Sequence, residues 1–322
     1  MSERNVRLVL LVGLLVMACL VSLFGTDPGL PLDLSAVELK ILTEIRLPRV
    51  CLNVLIGGGT AVAGAAIQGL FRNALADPAL IGVSGGAALF AAAFQVLGLS
   101  SGPLALMGIA TFAFAGGLLT TLLVLVVGLR TRSISAILLA GIAVNAVAAS
   151  GVSLLSYVSA DTQLRSVAFW ALGSFNSASW SGVLLALVIP VLVLLLYSRY
   201  RLLNAITLGE KEAAYLGVDV HRLRWWVIIC AALMIGISVV LAGIIAFVGL
   251  LVPHLVRMTI GSDHRVLLPA SAILGGLLLV IADFLGRLVI YPAELPVGIV
   301  TSLLGAPFFL YLIVRSRQGI VL

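Results

Sequence analysis

The sequence predicts an all-α polytopic membrane protein with about ten transmembrane helices. Three observations predict it. Mean hydropathy is +1.24; ten apolar segments approach the roughly 20 residues that a bilayer-spanning helix needs; and positive charge becomes one-sided once those segments are threaded through a membrane. Of 322 residues, 62% are hydrophobic and 10% are charged, too apolar a balance for a soluble globule. The chain reads as one membrane domain over 1–322, with a charged segment at 198–224 and no room for a second, soluble unit.

The segments fall near 6–25, 50–70, 80–97, 104–127, 135–157, 181–197, 225–242, 244–260, 266–287 and 297–314. The first follows Arg4 and Arg7, but its apolar run outlasts a signal-peptide core and no small-residue cleavage site follows, so it reads as a retained helix. The second is crowded with small residues from Gly57 to Gly69. Such residues let backbones approach closely in lipid, and this predicts a helix central to the bundle. Arg72 stands at its negative dipole end. After the tight turn Phe71–Pro78, Asp77 as N-cap and Pro78 at the first position restart a helix. The fifth segment carries Asn145, costly in hydrocarbon and so predicted to face the bundle interior, followed by Ser150, Ser153, Ser156 and Tyr157. The eighth is short and contains Pro253, so neighbours must satisfy the backbone groups that the proline frees.

Two connections exceed what joining spans requires. Residues 26–48 hold Asp27, Asp33, Glu38 and Glu44 and predict a short surface helix. Residues 159–179 contain Arg165-Ser-Val-Ala-Phe-Trp170, an apolar helical turn with its Trp where membrane interfaces favour one. Cys19, Cys51 and Cys230 sit in apolar segments without metal-like spacing and read as core.

With the N-terminus cytoplasmic, fourteen of the 19 Lys and Arg fall on the inner side. Lys40, Arg46, Arg49, Arg165 and Arg287 fall outside, in keeping with the positive-inside rule. Both termini are then cytoplasmic, and the net charge of +6 reflects topology rather than nucleic-acid binding. Segment 198–224 is cytoplasmic too. Thr207 with Glu210 fits a capping box, Gly217 fits a C-cap, and Leu208–Leu216 makes about two turns with a small apolar face. A solvent loop needs no such structure merely to join two spans, so a docking role is predicted.

Several functions are disfavoured. No Gly-x4-Gly-Lys-Ser/Thr phosphate loop occurs, so ATP must be handled by another chain. No Ser/His, His/Glu or paired-Asp constellation lies at membrane depth, and no catalytic residue is assigned. An ion-coupled secondary transporter, the alternative from another class, would need an ionisable residue near mid-membrane, whereas Asp283 lies near a span end. His221, His254 and His264 all fall on the cytoplasmic side, and no metal site is predicted.

Four ordered motifs give the chain a family likeness. They are Arg46-Leu-Pro-Arg49 with the Gly/Ala helix and Gln68-Gly-Leu-Phe-Arg-Asn-Ala-Leu-Ala-Asp-Pro78; Leu208-Gly-Glu through Leu216-Gly217; Phe247-Val-Gly-Leu-Leu-Val-Pro-His254; and Ala293-Glu-Leu-Pro-Val-Gly298 closing with Leu304-Gly-Ala-Pro307. Over nearly its whole length the chain resembles the permease subunit of a type II ABC importer, the family that imports ferric siderophores, haem and vitamin B12. Ala74 departs from it, standing where proline is more usual. The resemblance implies ten spans in the bacterial cytoplasmic (inner) membrane and two cytoplasmic ABC ATPase subunits that bind ATP and magnesium. It also implies a periplasmic or extracellular substrate-binding protein. A single copy of the ten-span unit makes a homodimer the simplest two-fold closure.

Carried over by motif, Leu208, Gly209, Glu210, Ala213, Ala214, Leu216 and Gly217 correspond to the coupling helix that enters a groove on the ATPase. The glycines would allow close approach and termination, and Leu208, Ala213, Ala214 and Leu216 would form the docking face. Arg46, Arg49 and Arg287 correspond to outer arginines that meet acidic residues of the binding protein. Interfacial snorkelling or a local pair fits them too, most of all Arg287 with Asp283 four residues earlier. Gln68, Ser84, Gly141, Asn145, Ser153 and Tyr157 are candidates to line the path, and hydrogen bonding within one subunit explains them equally well. Gly261-Ser-Asp-His-Arg265 before Leu267-Leu-Pro269 resembles haem-importing members, with ferric siderophore and vitamin B12 as alternatives. Recognition of the cargo would then fall to the binding protein, and the path would be a weakly interacting, mostly apolar tube.

Overall fold

The computed structural model describes residues 3–24, 36–98, 105–131, 134–290 and 293–316. Its helices are α1 (Glu3–Phe24), α2 (Ala36–Ile41), α3 (Leu47–Phe71), α4 (Val83–Val96), α5 (Ala105–Thr131), α6 (Ile134–Val158), α7 (Asp161–Ala171), α8 (Trp180–Ala186), α9 (Val188–Tyr197), α10 (Tyr200–Leu208), α11 (Glu210–Tyr215), α12 (Val220–Ala242), α13 (Val248–Thr259), α14 (His264–Val289) and α15 (Val297–Ser316). A π-helical turn, Leu42–Arg46, runs into α3, and a 3-10 turn, Pro78–Ile81, precedes α4. No strand occurs among the described residues. Seven helical stretches are long and apolar enough to cross a membrane, with α4, α13 and α15 as shorter apolar helices. Together they match the ten predicted segments in order. Asp27 and Asp33 lie outside the described residues, whereas Glu38 and Glu44 fall in α2 and the π-helical turn that follows it.

Helix α3 is the axis. Of its apolar window 83% is buried, against 6% for α1, which lies along α14 with most of its surface outward. The small residues are the reason. A Cβ on Gly57 would overlap the Gly275 carbonyl of α14, and one on Gly64 would overlap the Gly249 carbonyl of α13. Backbone therefore lies directly on backbone, the packing that small residues permit in lipid. Helices α12, α13 and α14 all pack on α3, while α4, α5 and α6 form a neighbouring group joined to it through α12.

The breaks have local causes. Pro190 cannot donate to the Ala186 carbonyl, and α8 gives way to α9 one turn before it. Pro253 likewise frees the Gly249 carbonyl inside α13. The Gln68 side chain of α3 collects it, its Nε2 donating to Gly249 at 3.2 Å and to Leu250 at 3.4 Å. Asp77 caps as predicted, Oδ1 accepting from the Ala79 amide at 2.8 Å. The turn it starts is 3-10, and Gly82 at φ 90° separates that turn from α4.

Candidate functional site

The segment predicted to dock stands out from the end of the bundle. Helix α10 is anchored by Leu203 and Ile206, both fully buried. Its Asn204 holds the N-terminus of α14: Nδ2 donates to Asp263 at 2.7 Å, while Oδ1 accepts from the His264 amide at 2.9 Å. Gly209, at φ 140° and ψ 151°, turns the chain into α11. The predicted capping box does not form. Thr207 is the penultimate residue of α10 and donates its hydroxyl to the Asn204 carbonyl at 2.6 Å. With Gly209 in the N-cap position, α11 has no side-chain cap.

The C-terminal end follows prediction. Gly217, at φ 82°, donates to the Ala214 carbonyl at 2.9 Å, and Val218 donates to Ala213 at 3.0 Å. This is the paired bonding of a Schellman motif. Val218 and Ala213 are buried, so the motif fixes α11 to the bundle from behind. A second brace is Arg224, whose Nη2 meets the Glu210 carboxylate at 2.8 Å. Leu208, Tyr215 and Leu216 point outward, 67%, 88% and 65% exposed. Ala213, predicted on the docking face, is on the opposite one. Tyr215 was missed, because an aromatic beside two alanines gives no sign of its direction until the helix register is known.

At the other end of the bundle the arginines are drawn into ion pairs. Arg49 Nη2 lies 2.9 Å from an Asp283 oxygen and 2.9 Å from a Glu294 oxygen, and its Nε also faces Asp283. Arg287 reaches Asp283 at 3.6 Å and donates to the Ser22 hydroxyl at 2.6 Å. Arg46 donates to the Leu23 carbonyl at 2.8 Å, tying α1 to the entry of α3. Arg49, Arg287 and Asp283 are nearly buried, so the local pair foreseen for Arg287 is present and Arg49 joins it. Glu294 is the partner that sequence reasoning did not connect, 245 residues from Arg49. It also lines a cavity of about 380 Å3 with Trp170, Ser174, Asn176 and Ser177.

The candidate path residues do not form one surface. Gln68 is buried in the α3–α13 contact, where it also accepts from Arg257. Ser84 lines a small cavity with Thr60, Asp77 and Ser238. Asn145 donates to the Ala79 carbonyl at 3.0 Å and Gly141 is buried, so this part of α6 packs on the 3-10 turn. Ser153 and Tyr157, toward its other end, are exposed. Among the described residues no group of three or more His, Cys, Asp or Glu could hold a metal ion.

Residues 6–315 match the FecCD transport family. The chain is 46% identical over 282 residues to a hemin transport system permease protein, HmuU, of Yersinia pestis, covering 86% of this chain and 84% of that one. It is 42% identical over 314 residues to a vitamin B12 import system permease protein, BtuC, of Vibrio cholerae, covering 96% and 94%. Its fold matches a solved metal-chelate type ABC transporter in an inward-facing conformation with a TM-score of 0.89 and 32% identity, over 97% of this chain and 99% of that one. The chain belongs to the FecCD transport family and is a multi-pass permease of the ABC importer type.

Proposed function

We propose that this permease carries an iron complex, haem in first place, across the bacterial inner membrane as half of a homodimer driven by two cytoplasmic ATPase subunits. The observation that carries the reading is α11: a short helix braced from behind by Ala213, Val218 and Arg224, presenting Leu208, Tyr215 and Leu216 to solvent. Exposed apolar side chains on a rigid support suit a groove on a partner and serve no purpose in a bare loop. In this reading the α11 end is cytoplasmic, as are both termini. The partner binds ATP and magnesium, and this chain holds no cofactor and performs no catalysis.

At the outer end Arg46, Arg49 and Arg287 form the docking patch for a substrate-binding protein. Arg46 makes the direct contact, and the other two hold the platform through Asp283 and Glu294. Along the exposed stretch of α6, Ser153 and Tyr157 line the path of the dimer. Leu139, Ile142, Val147 and Leu154 leave a broad apolar face on that helix, suited to a second copy or to lipid.

Haem is favoured over vitamin B12 by the higher identity to a hemin permease, and over both alternatives by Gly261–Arg265, which resembles haem-importing members. The test is uptake by proteoliposomes holding the permease, its ATPase and its binding protein. ATP-dependent entry of haem exceeding that of a ferric siderophore or cobalamin by at least tenfold is expected. Preference for either of the others would replace haem, and uptake without ATP would remove the driven-importer reading.

A further inference from the structure

We propose that the groove between α10 and α12 at the α11 end binds the headgroup of an anionic glycerophospholipid. Arg199, in the N-cap position of α10, lies with its guanidinium carbon 6.0 Å from the ring centre of Trp226, within reach of a cation–π contact. Arg222 stands one turn before Trp226 on α12, and its side chain is 84% exposed. The two arginines and Trp226 rim a cavity of about 290 Å3, with Leu202, Leu223 and Val218 in its apolar wall. Asp219 also lines it. That carboxylate is already used: Oδ1 accepts from the Arg222 amide as the α12 cap, and Oδ2 pairs with Arg222 Nε at 3.0 Å. Two cations against one committed anion leave the pocket positive.

The surface below it changes character in the right direction. One turn from Arg199 is Leu195 on α9, and one turn from Trp226 is Ile229 on α12, both outward-facing. Apolar Val191 and Leu194 continue the α9 side. A charged pocket opening onto paired apolar stripes, with a Trp at the boundary, matches a phosphate headgroup above two acyl chains. A soluble anion would need no such stripes, and a protein partner would not extend into lipid. The assignment rests on the proposed cytoplasmic position of this end, because anionic lipid presented there meets the pocket at headgroup depth.

The experiment is native mass spectrometry of the purified full chain, with phosphatidylglycerol or phosphatidylcholine added at equal concentration. Phosphatidylglycerol should be retained about tenfold better. Arg199→Gln and Arg222→Gln should each lower that retention by roughly fivefold. Arg199→Lys with Arg222→Lys should keep most of it, and Arg265→Gln, at the same end but outside the groove, should change nothing. Both arginines are surface residues, so the variants should elute from a sizing column as the parent does. Equal retention of the two lipids, or of phosphatidylglycerol by parent and Gln variants, would overturn the proposal. So would thermal stabilisation by millimolar inorganic phosphate equal to that by phosphatidylglycerol, which would mark a simple anion site. Loss of the ATPase from the Gln variants with lipid retention unchanged would give the face to the ATPase instead. Haem uptake is not a readout here, so failure of this proposal and failure of the transport reading are separable.

Discussion

The two ends of the bundle hold their charges differently. On α11 Glu210 is paired with Arg224 behind the helix, and the apolar Leu208, Tyr215 and Leu216 are left outside. At the Arg49 end a cluster of arginines and carboxylates lies just beneath the surface, Glu294 its most exposed member, beside the open apolar Ile45, Val289 and Ile290. Apolar contact yields affinity that salt hardly alters, whereas charge yields encounter rate and selectivity that salt erodes. In the proposed reading one end holds a partner, and the other catches and releases one.

The largest test of that contrast is Leu216→Asp. An isolated carboxylate buried in an apolar groove costs several kcal/mol, enough to cut association by orders of magnitude. Co-purification of the ATPase should be lost while the membrane bundle keeps its unfolding temperature. Arg201→Ala, exposed and outside α11, should behave as the parent. ATPase retention by Leu216→Asp at the parent level would break the assignment of this end.

Next in size is Arg49→Ala, which leaves buried Asp283 and partly exposed Glu294 without their shared cation. Breaking such a pair from one side costs about 3–5 kcal/mol, read as a fall in the midpoint of thermal unfolding in detergent. Arg49→Lys should recover only part of it, because a point charge cannot bridge two carboxylates as a planar guanidinium does. A midpoint unchanged in Arg49→Ala would show that the cluster is not structural.

Arg46→Glu should be milder, since Arg46 is tied to the Leu23 carbonyl rather than held in the nearly buried Arg49–Asp283 pair. Roughly tenfold weaker binding to the substrate-binding protein is expected, with a shallower dependence on salt. ATPase activity without the binding protein should stay near the parent value. Equal affinity at low and high salt would remove the electrostatic reading of the outer end.

The smallest effect concerns Asp77, on the turn between α3 and α4, for which no described cation serves as partner. Burial pushes its carboxyl above the usual range, and the Ala79 amide opposes this in part. A raised folded-state value means that its contribution to stability is present at low pH and fades as pH rises through that value. Asp77→Asn keeps the capping oxygen and removes the titration. The variant should gain on the parent in unfolding temperature as pH rises above the ordinary carboxylate range, and a constant difference would sink this account.

Much of this was legible in the sequence, where periodicity and composition act locally. The ten apolar segments, the central small-residue helix, the Asp77 cap and the Gly217 terminus need only neighbouring residues to be read. Pairings across the chain were not legible. Gln68 reads as a polar residue in a membrane helix and hence as a path candidate, but its partner is the carbonyl freed by Pro253, a relation that exists only once α3 and α13 touch. Arg49 with Glu294 is a second case, and the direction of Ala213 a third. Thr207 failed for a different reason: α10 continues two residues further than the capping pattern implies, and the hydroxyl finds a carbonyl of its own helix.

The contact of α3 with α13 and α14 also limits how this chain can change. Where one carbonyl occupies the space that a neighbour's methyl group would need, as at Gly57 and Gly64, no rotamer can relieve an enlargement. The axis has zero clearance. Substitutions that enlarge a side chain are therefore accommodated away from this seam, as along the exposed stretch of α6, and not within it. Enlargement at either glycine would have to part α3 from α13 or α14, so the seam itself admits no larger residue.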